Sequence, residues 1–294
     1  MKSLLLSLLL SIFLMGFSYA QPISVFVTAH PDDWQLFMNP NAFNAVSDSN
    51  QQVIFLHVTA GDAGHGMEYN DFTLAREEGS KRALRFLVNA AFPRENFKNS
   101  VIDTTLSIND YDINFYSYRN ISAYFLRLPD GNFDGGGYVR HNKESVAKIL
   151  SGEKLTINSV DKRHTYTRKD LLKTIGEIIP SPTYEHPVHI HIAETDSTIN
   201  PEDHSDHINS AKLTKEVMNN KMPYQLFSYI EYHTNNLPMN VFPTEYQVSV
   251  GTWGATISGI SDFGHYSTWD ETHNSWLGRQ YFNEEMMSNS DPDE

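Results

Sequence analysis

Apolar positions in this chain fall into short unbroken runs, with stretches at helical spacing between them. Residues 23–28, Ile-Ser-Val-Phe-Val-Thr, and 53–59, Val-Ile-Phe-Leu-His-Val-Thr, are largely apolar and each stops at a turn. Strands that bury only one face alternate, so continuous runs of this kind predict strands covered on both sides in a parallel sheet. Within residues 73–90, Ala75, Gly79, Ala83, Phe86 and Ala90 recur every three or four positions, which is the spacing of one helical face. Strand, connection, strand and helix give a βαβ rhythm.

The same reading continues downstream. Residues 121–128 predict a third strand, broken by Pro129-Asp130-Gly131 and a glycine-rich loop reaching Gly137. A helix starting at Arg168 or Asp170 runs to Ile179 and is stopped by Pro180 and Pro182. Residues 188–193 alternate histidine with apolar side chains, residues 208–218 predict another helix, and residues 226–232 a last strand. Residues 95–119 and 241–270 show no clean period and read as long loops or insertions, with residues 241–294 an irregular C-terminal extension. No repeat or interdomain linker is visible, so the expectation is an α/β fold with a mostly parallel sheet in one domain over residues 21–294.

Composition narrows the setting. Lys2, an apolar run over residues 4–17 interrupted by Ser7, Ser11 and Gly16, and the small-residue site Ser18-Tyr19-Ala20 predict a cleavable signal peptide over residues 1–20. The mature chain then starts at Gln21 and is secreted or periplasmic. A membrane anchor is the competing reading, but the run falls short of the roughly 20 residues that span a bilayer. The sequence contains no cysteine, so any metal must be held by oxygen and imidazole, without disulfides for support. The net charge of −14, which becomes −15 once Lys2 is lost, repels phosphate backbones and anionic membranes. A nucleic-acid partner is therefore not expected, and a neutral or cationic small molecule or glycan suits the chain better.

Chemistry is concentrated where strands end. Ligands of an open parallel sheet lie beyond the carboxyl ends of its strands. Predicted ends at Thr28, Thr59, Leu128 and Ala193 are followed by Ala29-His30-Pro31-Asp32-Asp33, by Asp62, by Asp130 and by His204-Ser205-Asp206-His207. His30 and Asp33, three apart on a turn, can reach one ion at about 2.0–2.2 Å, and His207 would complete three ligands with a position left for water. Zn2+ suits that donor set, and Fe2+ could occupy it. A bound zinc lowers the pKa of water from about 15.7 toward 7, so Asp32 suffices as the base. His204 would face the same cavity, supporting an oxyanion or protonating a leaving amine, and Asp206 would fix an imidazole tautomer. The competing reading makes Pro31 and its aspartates a turn, and Asp203 or Asp206 a helix cap. Two such clusters at predicted strand ends favour the metal site.

These motifs resemble those of the PIG-L/LmbE-like zinc-dependent de-N-acetylases. Ala29-His30-Pro31-Asp32-Asp33 is similar to that family's A-H-P-D-D signature, and His204-Ser205-Asp206-His207 to its later H-x-D-H. Thr59-Ala60-Gly61-Asp62, Arg76-Glu77-Glu78 and Leu128-Pro129-Asp130-Gly131 also resemble family features, and the similarity runs over residues 23–232. The resemblance implies a Rossmann-like three-layer sandwich, a zinc ion and hydrolysis of an N-acetyl group on an amino sugar. By motif position it implies His30, Asp33 and His207 as metal ligands and Asp32 as general base. His204 would face the intermediate with Asp206 as its supporting acid, and Arg76 and Asp130 would contact sugar hydroxyls. Trp34 stands where an acid commonly follows the double aspartate, and Asp62 where glutamate is frequent; both bear on pocket shape.

Other candidates carry less. His189 and His191 share a strand face and could chelate, or could be ordinary occupants of it. His186 and His65 read similarly, though His65 could border the pocket. The glycine-rich loop lacks the ending of a nucleotide P-loop, and no G-x-S-x-G or H-E-x-x-H motif occurs. Aromatic residues between Tyr246 and Tyr281 could stack on sugars or pack as core. Two other functions compete with the deacetylase: a carbohydrate-binding protein with a relic metal site, and a hydrolase of another acyl-amine or ester.

Overall fold

The computed structural model describes residues 23–68, 71–93, 100–183 and 186–288. The signal-peptide reading at residues 1–20 lies outside them. In chain order the strands are β1 (Ile23–Thr28), β2 (Gln52–Thr59), β3 (Val101–Ile108), β4 (Tyr111–Tyr118) and β5 (Ile121–Leu128). Next come β6 (Thr156–Asn158), β7 (Thr165–Thr167), β8 (Val188–Ala193), β9 (Tyr224–Ile230) and β10 (Tyr281–Met287). Eight of them form one sheet in the order β10-β9-β8-β1-β2-β5-β4-β3, and β6 and β7 make a separate ribbon. The middle of the sheet, β9-β8-β1-β2-β5, is parallel; β10 on one side and β4 and β3 on the other are antiparallel.

The helices are α1 (Asp33–Phe37), α2 (Asn41–Ser47), α3 (Phe72–Ala91), α4 (Val146–Ser151), α5 (Arg168–Ile178), α6 (Ser205–Met218), α7 (Pro243–Asp262) and α8 (Glu271–Trp276). They cover both faces of the sheet, because the strands bury both. Val25, Val27, Leu56 and Val58 enter one core with Leu171 and Ile175 of α5 and Ala211 and Leu213 of α6. Phe26, Val53 and Phe55, which point the other way, enter a second core with Leu84 and Leu87 of α3 and Trp253 of α7. This three-layer, Rossmann-like arrangement has its switch point between β1 and β8. From β1 the chain passes to β2, then to the sheet edge at β3 and back through β4 to β5 beside β2, and later crosses to the other side of β1 as β8 and β9. At such a point the loops leaving neighbouring strands diverge and open a crevice. Among the described residues, no helix is long and apolar enough to cross a membrane.

Two segments read as loops are regular. Residues 95–119 contain β3 and β4. β3 is an edge strand exposed along nearly its whole length, so no core face imposed an apolar pattern on it. Residues 241–294 are not an irregular extension, since they contain α7, α8 and β10. α7 escapes apolar periodicity because small and hydroxyl residues, Ser249, Thr252, Thr256 and Gly259, are interspersed with Trp253, Ile257 and Ile260 on its packed face. Thr252 and Thr256 donate to the carbonyls four residues back, at 2.8 and 3.1 Å, so these buried hydroxyls are satisfied locally. The small residues let α7 lie directly on α3. A Cβ on Gly259 would come within 2.6 Å of the Gly79 backbone, and one on Gly79 within 2.8 Å of the Thr256 carbonyl oxygen.

Candidate metal centre and active site

The turn leaving β1 is tied before any ligand is considered. Thr28 Oγ1 donates to the His30 carbonyl at 3.0 Å, and the His30 N–H donates to Asp33 Oδ2 at 2.6 Å. One carboxylate oxygen of Asp33 is thereby occupied, while Oδ1 stays turned to the His30 ring, 3.3 Å from Nδ1. His207, in the first turn of α6, brings Nε2 to 3.2 Å from His30 Nδ1 and 3.3 Å from Asp33 Oδ1. The three atoms form a nearly equilateral triangle. Donors bonded at about 2.0 Å to one tetrahedral ion stand about 3.3 Å apart, so the triangle has the size of one face of a zinc site.

The charges around the triangle point the same way. Burial opposes charge on His30, but Asp33, Asp206 and Asp130 push its pKa up to about 10. Burial likewise opposes charge on His207, yet Asp33, Asp203 and Glu231 hold its pKa well above the ordinary value. Burial would raise Asp33, and His207 and His30 hold it well below the carboxylate range. The cluster thus draws positive charge to its centre, which a divalent cation supplies.

His207 is aimed by residues the sequence reading did not assign. Its Nδ1 lies 2.9 Å from Asp203 Oδ1 and 2.5 Å from Glu231 Oε2, which places the ring proton on Nδ1 and leaves Nε2 as a donor of its lone pair. Asn200 braces both acids, donating to Asp203 Oδ2 at 2.7 Å and accepting the Glu231 N–H at 3.1 Å. Asp203 does not cap the helix; the cap is His204, whose Nδ1 accepts the Asp206 N–H at 3.1 Å. Glu231 is the first residue beyond β9, which ends at Ile230 rather than Tyr232. With the correct strand end, the rule that found His30 would have found Glu231 too.

The remaining candidates are gathered here, with two changes of partner. Asp32 accepts a hydrogen bond from Arg76 Nη2, so Arg76, expected on a sugar hydroxyl, contacts the candidate base. Gly61 makes room for it: at φ +54° it lacks a Cβ that would sit 2.8 Å from Arg76 Nη2. Asp206 does not support His204 through its side chain. Its Oδ2 lies 3.5 Å from His30 Nε2 and accepts the Gly131 N–H at 2.8 Å, because residues two apart at a helix start do not share a face. The acid nearest His204 Nε2 is Asp130, at 3.8 Å. Asp130 is itself fixed by the Asn132 and Ala63 N–H groups at 2.8 and 3.2 Å. Burial, with His30 and His207 alongside, pushes the His204 pKa down to about 2. With Nδ1 accepting, the neutral ring carries its proton on Nε2.

His30, Asp32, Asp33, Arg76, Asp130 and His204 line a cavity of about 230 Å³, with Tyr232, His273 and Trp276 contributing to its wall; His207 and Asp206 are buried behind it. His189 and His191 do not join it. His191 is sandwiched between Phe26 and Phe227, at 4.0 and 4.5 Å between ring centroids, with Nδ1 on the Tyr229 hydroxyl at 2.8 Å. It is a core residue of the sheet. His65 lines a different hollow, beside Arg140 and Lys162.

Residues 25–218 match the family described as PIG-L: GlcNAc-PI de-N-acetylase. That span holds all three corners of the triangle and Asp32. The chain belongs to the PIG-L family. Two solved structures show weaker likeness. The N,N'-diacetylchitobiose deacetylase from Pyrococcus horikoshii, complexed with its inhibitor MPG, is similar at a TM-score of 0.48 and 14% identity, over 96% of this chain and 90% of that one. GalB, the 4-carboxy-2-hydroxymuconate hydratase from Pseudomonas putida KT2440, is similar at 0.41 and 9%, over 87% and 83%. No curated protein sequence matches. Within this PIG-L chain, Glu231 and the wall residues Tyr232, His273 and Trp276 all lie beyond the matched span.

Proposed function

We propose that this chain is an exported, metal-dependent amide hydrolase that removes an N-acetyl group from an amino-sugar substrate. The observation that carries the reading is the triangle of His30 Nδ1, Asp33 Oδ1 and His207 Nε2 beside Asp32 in one cavity of a PIG-L family member. Those three side chains would hold the ion, with zinc favoured by two imidazoles and one carboxylate and Fe2+ the alternative. When bound, the ion acidifies a water molecule and polarises a carbonyl oxygen.

The chain's own residues do the rest. Arg76 holds the Asp32 side chain in place through its hydrogen bond, and Asp32 takes the proton as the water oxygen bonds to the acyl carbon. His204 presents its Nε2–H to the cavity, where a fixed donor supports negative charge on the former carbonyl oxygen. As the carbon–nitrogen bond breaks, protonated Asp32 returns its proton to the leaving amine. Acetate and a free amino sugar result. The placement of Arg76 on Asp32 favours an enzyme over a relic binding site, since binding alone has no use for an oriented base.

The test pairs acetate release from N-acetylated amino sugars with metal analysis. His207→Ala is expected to lose bound metal and activity together. Asp32→Ala is expected to keep the metal and lose about 10²–10⁴-fold in rate. Normal turnover by Asp32→Ala overturns the mechanism. Export is checked by N-terminal sequencing of the protein recovered outside the cytoplasm, with Gln21 expected as the first residue.

A further inference from the structure

The segment that carries His30, Asp32 and Asp33 is held at both ends by one chain of buried hydrogen bonds. Trp34 Nε1 donates to Ser80 Oγ on α3 at 3.2 Å, and Ser80 Oγ lies 3.1 Å from Nε2 of His57 on β2. His57 Nδ1 lies 2.9 Å from Thr28 Oγ1, which donates to the His30 carbonyl at 3.0 Å. Thr28, Trp34, His57 and Ser80 are each at most 2% exposed, so bulk water cannot replace a missing member.

The two ends of the chain fix the direction of every bond in it. A carbonyl only accepts, so the single hydroxyl hydrogen of Thr28 goes to His30, and His57 must meet Thr28 with an Nδ1–H. An indole N–H only donates, so Ser80 accepts from Trp34 and keeps its own hydrogen for His57 Nε2. A neutral imidazole, with one N–H and one lone pair, matches both neighbours, and burial keeps this ring neutral by pushing its pKa down to about 4. Ser80 also follows Arg76 by four residues on α3, the spacing of one helix face, and Arg76 bonds to Asp32. α3 therefore grips the segment twice, at Asp32 and through this chain. We infer that Thr28, His57, Ser80 and Trp34 are positioning residues of the metal centre, a directed frame that holds His30 and Asp33 at ligand spacing and Asp32 within reach of Arg76. The inference rests on the metal-dependent hydrolase reading and deepens it. It also gives Trp34 a role, since an ionised acid at that position only accepts and could not start the chain.

Two measurements test the frame, and neither depends on turnover. Nitrogen-15 spectra of the histidine-labelled protein, with the His57 signals identified by their loss in His57→Gln, read its tautomer with or without added zinc. A proton on Nδ1 and a bare Nε2 are expected; a proton on Nε2 overturns the frame. Zinc affinity is then titrated against a chelator in wild type, Thr28→Val and Thr28→Ser. Valine keeps the shape of threonine and loses the hydroxyl, so Thr28→Val should bind zinc about three- to tenfold more weakly, the scale of one hydrogen bond. Thr28→Ser, which keeps the hydroxyl, should restore the affinity. A Thr28→Val protein that unfolds more easily but binds zinc as wild type does has lost only a structural contact, and that result refutes the positioning role. Should Thr28→Val not fold, Ser80→Ala is read in the same titration with the same expected loss. At saturating zinc, acetate release by Thr28→Val should fall in kcat with KM unchanged. Weakened and restored zinc binding without acetate release from any form, wild type included, would count against the deacetylase reading and leave the frame standing.

Discussion

His207 shows how much a single side chain depends on its partners. Its Nε2 can serve a metal only while Nδ1 holds the proton; Asp203 accepts a hydrogen bond from that nitrogen and the Glu231 carboxylate lies beside it at 2.5 Å. Outer partners of this kind are worth about 10–100-fold in metal affinity. Glu231→Gln is therefore expected to weaken zinc binding by that factor in a competition titration with a chelator, whereas Asp32→Ala leaves the affinity near wild type. Equal affinities for Glu231→Gln and wild type would remove Glu231 from this role. At this scale the sequence was informative wherever a motif kept its members together: His30, Asp32, Asp33 and His204 line one cavity, and His207 meets His30 and Asp33 behind it. It was blind where a contact bridges distant segments. Nothing in the pattern says that Arg76 meets Asp32, or that Asp206 turns to His30.

Between elements, the packing of α3 on α7 is the most exacting contact. Gly79 and Gly259 meet backbone to backbone, so an added methyl forces the helices apart. Gly259→Ala is expected to cost about 1–3 kcal/mol in urea unfolding, the usual range for overpacking. Because α3 carries Arg76, it should also lower activity. Gly176→Ala on α5 is the contrast: its nearest neighbour would be Val217 Cγ1 at 3.7 Å, so the helix-propensity gain makes the change neutral or stabilising. These helices also mark the limit of pattern reading. α5 announces itself through a capping box of Thr167 and Asp170 and a stop at Pro180, and its boundary was found within a residue or two. α7 mixes hydroxyls and a glycine with Trp253, Ile257 and Ile260 on its buried face, so no clean apolar period shows in the sequence.

Over the whole molecule, buried neutral histidines set an acid limit on stability. Burial pushes the His57 pKa down to about 4 from an ordinary 6.5; its ring is held between Thr28 Oγ1 at 2.9 Å and Ser80 Oγ at 3.1 Å. Between those two values the unfolded chain binds a proton that the folded chain refuses. Stability is therefore intact above pH 6.5 and declines as pH falls toward 4, by roughly 3 kcal/mol for a shift of this size. His57→Gln in the metal-loaded protein should flatten that decline in urea midpoints measured across this range. An unchanged slope would show that His57 does not govern it. The parallel middle of the sheet was legible, through runs buried on both faces, but the order of its strands was not. The sheet's edge strands β3 and β10 are exposed, and nothing in the core required them to be apolar.

The two imidazoles of the triangle are 177 positions apart in the chain, one leaving the first strand and the other opening a helix after the chain has crossed back. An ion gripped there would act as a clasp between early and late parts of the polypeptide. A partly synthesised or unfolded chain has nowhere to close it, so loading must follow folding, in whichever compartment folding is completed. Once seated, the ion resists separation of the two halves by RT ln(1 + [metal]/Kd), about 2.7 kcal/mol at a hundredfold excess over Kd. Chelation should accordingly lower the melting temperature as well as silence the enzyme.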